Sequence, residues 1–252
     1  MKILVTGDSH IGALNRGLQQ LLAARKTDRS VDISILPLGG GHLLPTPFFR
    51  DAGDHAEMVA PDYQRHMSRL PPASPKFDAV VLSMPLWPMR VQHQITWGKF
   101  ALAEHLEGRK TISHLVFKTL VLQDQKYVLE LIDLLGRIGI PVAAVSPPRM
   151  FRDHSTLKFL PATQARTCFD TYLEIMKAEL KARSVPVIDL PRNCCDAEGF
   201  MLQKFRHEDP EDEHHANAEF GALMVSAVER WAVSDLAAGR RKKLLPWRGS
   251  AS

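Results

Sequence analysis

Five short apolar runs, most of them followed by a stretch with helical spacing, constrain this chain more than any other feature. The runs are Lys2–Thr6, Val31–Leu36, Ala79–Ser83, Val142–Val145 and Val187–Ile188. Between and after them, apolar residues recur every three or four positions: Ile11, Leu14, Leu18, Leu21 and Leu22, then Val128, Leu131, Ile132 and Leu135. The same spacing returns at Phe169, Tyr172, Leu173, Met176 and Leu180, and again at Phe220, Leu223, Met224, Ala227, Val228 and Trp231. Runs this short and this continuously apolar suit strands buried on both faces, and the one-sided stripes suit helices that cover them. Parallel strands need long crossovers, which such helices supply. The pattern predicts an α/β chain: a three-layer α/β/α sandwich around a mainly parallel five-stranded sheet.

Two stretches break the alternation, Gly39–Lys76 and Pro85–His114. Each follows a predicted strand and is too long for a simple connection. Both should leave the carboxyl edge of the sheet, where open α/β sheets bind their ligands. Their histidines and aromatics, His42, Phe48, Phe49, Trp87, His93 and Trp97, suit a substrate wall or lid. A helix over Asp54–Leu70 is the element the pattern offers in the first stretch, with poor periodicity.

The length of 252 residues is enough for one domain with a substantial core, expected over 1–236. The net charge of +4 is matched by Arg240-Arg241-Lys242-Lys243 alone, so residues 237–252 read as a basic, disordered tail and nucleic acid is not an expected partner. Three cysteines, Cys168 and the adjacent Cys194-Cys195, give no disulfide framework and fit a reducing compartment. The first residues lack the long apolar core of a secretory leader, and no stretch approaches the ~20 apolar residues of a membrane span. A cytoplasmic location is the expectation.

Chemistry concentrates at two places. Gly7-Asp8-Ser9-His10 lies where the first strand ends and the first helix begins. Backbone N–H groups point outward there and suit a negative charge, including the oxyanion of an acyl-transfer intermediate. A serine so placed is a candidate nucleophile if a base takes its proton; Asp and Ser are equally at home as helix caps. The second place is Glu208–Asn217, a polar loop just before the last helix. Asp212 and His215 stand three apart, so a turn can return the carboxylate to Nδ1 and leave Nε2 free as a base. A solvated acidic loop is the plainer alternative.

Taken together, the two segments resemble the SGNH (GDSL-like) hydrolases, an esterase and lipase family. Gly7-Asp8-Ser9 matches its first block, and Asp212-Glu213-His214-His215 with Ala216-Asn217 matches its last. Val145-Ser146-Pro147-Pro148 and Val185-Pro186-Val187-Ile188-Asp189-Leu190 resemble its fourth and fifth strands. The resemblance runs from Met1 to about Val233 and implies a flavodoxin-like fold. It also implies a catalytic triad of Ser9, His215 and Asp212, no cofactor, and a small-molecule, carbohydrate or lipid ester as substrate.

One block departs from the family. Its third block supplies an asparagine to the oxyanion hole, and here Ser83-Met-Pro-Leu-Trp-Pro-Met stands in its place. The hole would then rest on the backbone of Ser9 and of Gly40 or Gly41, with Ser83, His42 or Arg90 as substitutes for the third donor. Losing one such donor costs on the order of 3–4 kcal/mol of transition-state stabilisation. Beside these, Trp87 and Arg90 are candidate substrate contacts, and Arg149 could meet an anionic group or simply face solvent.

Two rival readings differ in class. A non-catalytic binding protein could keep this scaffold, with the missing asparagine as its mark. A metallophosphoesterase would use Asp8 and His10 as metal ligands. That second family needs further aspartate, asparagine and histidine blocks to hold two ions, and Gly53-Asp54-His55 offers no second aspartate. No metal site is expected.

Overall fold

The computed structural model describes residues 1–88, 91 and 99–238. The five apolar runs are strands: β1 (Lys2–Gly7), β2 (Asp32–Pro37), β6 (Ala79–Leu82), β9 (Val142–Val145) and β10 (Val187–Ile188). They form one sheet in the order β10-β9-β6-β1-β2, and every pairing is parallel. Numbered among themselves in chain order, the strands run 2-1-3-4-5, the flavodoxin-like arrangement.

Alternation along the strands sorts the core into two layers. Ile3, Val5, Ala79, Val81, Ala143 and Val145 meet helices α1 (Ile11–Ala23) and α6 (Ala218–Trp231) on one face. Leu4, Val80, Leu82, Val142 and Ala144 meet three helices on the other: α3 (His114–Asp124), α4 (Lys126–Arg137) and α5 (Ala162–Ala182). Successive strand side chains point to opposite faces, so each strand serves both layers.

The segment between β2 and β6 overturns the helix expected over Asp54–Leu70. It holds an antiparallel sheet of β3 (Phe49–Asp51), β4 (Ala56–Met58) and β5 (Arg69–Leu70), with a 3-10 turn at Gly41–Leu43 and one short α-helix, α2 (Pro61–Gln64). Ala56 and Met58, alternating with exposed or half-exposed neighbours, are fully buried in the core cluster, which is strand periodicity. Helix α3 has no counterpart in the sequence reading. Later in the second long stretch, β7 (Phe100–Leu102) and β8 (Lys110–Ile112) form a short parallel pair. Phe48 and Phe49 do not wall a cavity: Phe48 is fully buried and Phe49 packs against the same cluster. His93 and Trp97, together with the tail from Gly239, lie outside the described residues, while Ala237 and Ala238 extend the final helix. Among the described residues no helix is long and apolar enough to cross a membrane.

Two glycines set the packing of α1 on α6. A Cβ on Gly17 would fall 2.1 Å from the Gly221 carbonyl carbon, and one on Gly221 would fall 1.8 Å from the Ala13 oxygen. The helix backbones therefore touch. Since α1 follows Ser9 directly and α6 follows His215 by two residues, this contact fixes how far apart those residues stand.

Candidate active site

The turn after β1 owes its shape to Gly7. It has φ of +152°, and a Cβ there would lie 2.2 Å from Ser83 Oγ, so only glycine lets β1 and the end of β6 approach this closely. Asp8, buried next to it, accepts a hydrogen bond at Oδ1 from the His10 backbone N–H (3.2 Å) and another from Ser83 Oγ (3.3 Å). Asp8 thus closes the turn, a local bond of the Asx type. That leaves the Ser9 hydroxyl out of any capping role. Instead Ser9 Oγ lies 2.8 Å from His215 Nε2.

His215 is held from the other side. Its Nδ1 is 2.8 Å from Asp212 Oδ2, while Asp212 Oδ1 accepts from the backbone N–H groups of His215 (2.9 Å) and His214 (3.2 Å). Burial works to raise the Asp212 pKa. The hydrogen bonds from His215 and His214 and the His215 charge outweigh it and hold the carboxyl well below the usual range. The loop carrying both residues is pinned at several points. Arg206 donates to the carbonyls of Asp212 (3.4 Å) and Pro210 (2.6 Å) and pairs with Asp153. Glu213 Oε2 accepts from the Ser155 N–H (2.8 Å), and Arg16 of α1 donates to the Ala216 carbonyl (2.8 Å). Asn217 caps α6 by accepting from the Phe220 N–H (3.2 Å).

Ser9 opens onto a cavity of about 460 Å³ at the carboxyl edge of the sheet, next to the β1/β6 boundary where strand order reverses. Gly41, His42 and Trp87 line it with Asp8 and His10, and the far wall is made by His154, Ser155, Glu211, Glu213 and His214. No described residue accepts from the Ser9 backbone N–H. The Gly39–Gly41 segment is propped by Tyr63, whose hydroxyl donates to the Gly40 carbonyl (2.8 Å). The Tyr63 ring packs so closely that a Cβ on Gly39 would fall 2.5 Å from it. Gly41 faces the cavity, and Gly40 contributes backbone behind it.

Other expected residues are elsewhere. Ser83 is 1% exposed and bonded to Asp8, so its hydroxyl is spent inside the turn. Arg149 lines a larger cavity of about 700 Å³ at the β9/β10 edge, which excludes Ser9. There its guanidinium donates to the Gly199 carbonyl (2.7 Å), pairs with Asp170 and lies 4.8 Å from the Phe169 ring centre. Arg149 therefore lies away from the Ser9 cavity. Arg90 lies outside the described residues. The smaller cavity is the candidate site because the Ser9–His215 pair opens onto it.

Asp8 and His10 belong to no metal-ligand grouping among the described residues. Among the described residues the grouping with such spacing is Asp212, His214 and His215, and two of these already hold the Ser9 contact. The three thiols are unpaired; burial pushes Cys168 up to about 12 and Cys195 to about 11, far from nucleophilic readiness. Tyr63, Arg206, His154 and Ser155 were invisible as site residues, since nothing in their local sequence says where their segments come to rest.

No family model matches this sequence, and no curated protein matches it either. Solved structures do. A GDSL-like lipase from Bacteroides thetaiotaomicron is 10% identical over 94% of this chain and 88% of its own, with a TM-score of 0.50. An acetyl xylan esterase is 17% identical over 93% of this chain and all of its own, with a TM-score of 0.49. The chain has the SGNH (GDSL-like) hydrolase fold.

Proposed function

We propose that this protein is a serine ester hydrolase. The observation that carries the reading is the relay of two 2.8 Å contacts, Ser9 Oγ to His215 Nε2 and His215 Nδ1 to Asp212 Oδ2, opening onto a cavity. A hydroxyl is a poor nucleophile until a base removes its proton as it attacks. His215 takes that proton at Nε2 while Asp212 holds the imidazole in the required tautomer. The Ser9–carbon bond forms, the carbonyl electrons move onto oxygen, and the backbone N–H of Ser9 and the Gly41 segment face the charge. Collapse expels the alcohol, which receives the proton from His215. Water, deprotonated by the same histidine, then cleaves the acyl-Ser9 ester.

The substrate is a small-molecule or carbohydrate ester. A cavity of about 460 Å³ with Trp87 on its wall suits one compact unit. No step needs a metal or an organic cofactor. The hydrolase unit spans 1–236, and the protein works in the cytoplasm.

The test is hydrolysis of p-nitrophenyl acetate by wild type and Ser9→Ala, with and without EDTA. Activity that resists EDTA and falls at least about 1,000-fold in Ser9→Ala is expected. EDTA-sensitive activity that survives the substitution would overturn the reading.

A further inference from the structure

On this hydrolase reading, Ser83 stands where the resemblance implies an asparagine donor, and its hydroxyl is spent on Asp8. We propose that His10 is the donor instead: its neutral imidazole gives a hydrogen bond from Nε2 to the oxyanion formed on the acyl group.

The geometry of His10 is unusual. It directly follows Ser9, is only 3% exposed, and still lines the cavity. Its ring lies 4.1 Å from the Trp87 ring, centre to centre, and 5.0 Å from that of His215. Nδ1 is fully buried without any hydrogen-bond partner. The ring lines the cavity, and Nδ1 is the nitrogen enclosed away from solvent, so Nε2 is the nitrogen left to face the cavity. A buried N–H with no acceptor is rarer and more costly than an unused lone pair. Nδ1 therefore carries the lone pair and Nε2 carries the proton.

Burial lowers the His10 pKa well below the ordinary histidine value, and the positive charges of His215 and His214 lower it further against an opposing effect of Asp212. The ring stays neutral even when His215 has accepted the Ser9 proton. A neutral donor suits this task because it stabilises the oxyanion without offering a second acid that could protonate it. As the Ser9–carbon bond forms and charge collects on oxygen, the Nε2–H bond strengthens, and no proton leaves His10. Trp87 fixes the ring plane, so the dipole is aimed before the substrate arrives.

His10→Phe keeps an aromatic ring against Trp87 and removes the donor; His10→Gln keeps a donor. With p-nitrophenyl acetate, His10→Phe is expected to lower kcat by about 100-fold with KM changed less than about threefold, and His10→Gln to keep at least about a tenth of wild-type kcat. The acid limb of the pH–rate profile should not move. Nitrogen NMR of the His10 ring in the whole protein should report a neutral Nε2–H tautomer from pH 5.5 to 8. This decides the matter even if His10→Phe fails to fold. A protonated ring at pH 6, an Nδ1–H tautomer, or a kcat for folded His10→Phe within about threefold of wild type would overturn the assignment. If hydrolysis depends on Ser9 but not on His10, this role alone falls; if wild type has no Ser9-dependent hydrolysis, both readings fall.

Discussion

Asp212 concentrates the residue-scale physics of the site. One carboxylate accepts three hydrogen bonds from two neighbouring histidines, so a single side chain shapes the loop and orients the His215 ring. Its depressed pKa has a defined consequence for stability. A carboxyl whose folded pKa lies below its unfolded value, about 3.9, stabilises the fold above that pH. The contribution fades as pH falls toward the folded value. Asp212→Asn should therefore be less stable than wild type at pH 6, and the gap should narrow steadily below about pH 4, as urea unfolding at stepped pH would measure. An asparagine amide also cannot accept and orient as the carboxylate does, so kcat should fall by as much as about 10⁴. Ser9, Asp212 and His215 were readable because each sits in a short segment whose local turn can be inferred. The surroundings of Arg149 were not legible, for the opposite reason: its partners Asp170 and Gly199 lie far along the chain, and no nearby residue signals them.

At the scale of elements, the strands and the amphipathic helices were legible because their burial is periodic. Helix α3 was not. Leu115 is 74% exposed and Val116 47%, while Phe117 and Val121 are buried, so apolar residues surround it without a stripe. The β3–β5 sheet was missed because two- and three-residue strands carry too few alternations to register. The glycine contact between α1 and α6 is the element-level feature that matters most for the site. Gly221→Ala would drive a methyl into the Ala13 carbonyl, and the helices must part. The expected cost is about 1–3 kcal/mol of stability, with a fall in kcat beyond what the lost stability explains. Chemical denaturation and activity at a temperature where the variant is folded separate the two effects. A variant as active and stable as wild type would show that the helices can slide apart freely.

Over the whole molecule, the order of strands was legible through the family resemblance and not through the apolar runs themselves, because which run neighbours which is decided by how all the helices pack together. The sheet gathers at one edge what the chain keeps far apart: Ser9 and His215 meet across 206 positions. Contacts between distant segments are the slowest to form, since a long loop must close before they gain anything. On refolding from urea, far-UV ellipticity should recover ahead of hydrolysis, which returns only with the final phase; simultaneous recovery in stopped-flow records would contradict this.

The backbone contact of α1 with α6 also orders events during synthesis. Ser9 is made 206 residues before His215, and the helix that follows His215 is made later still. On the proposed hydrolase reading, a nascent chain therefore carries Ser9 without its base until α6 clears the ribosome.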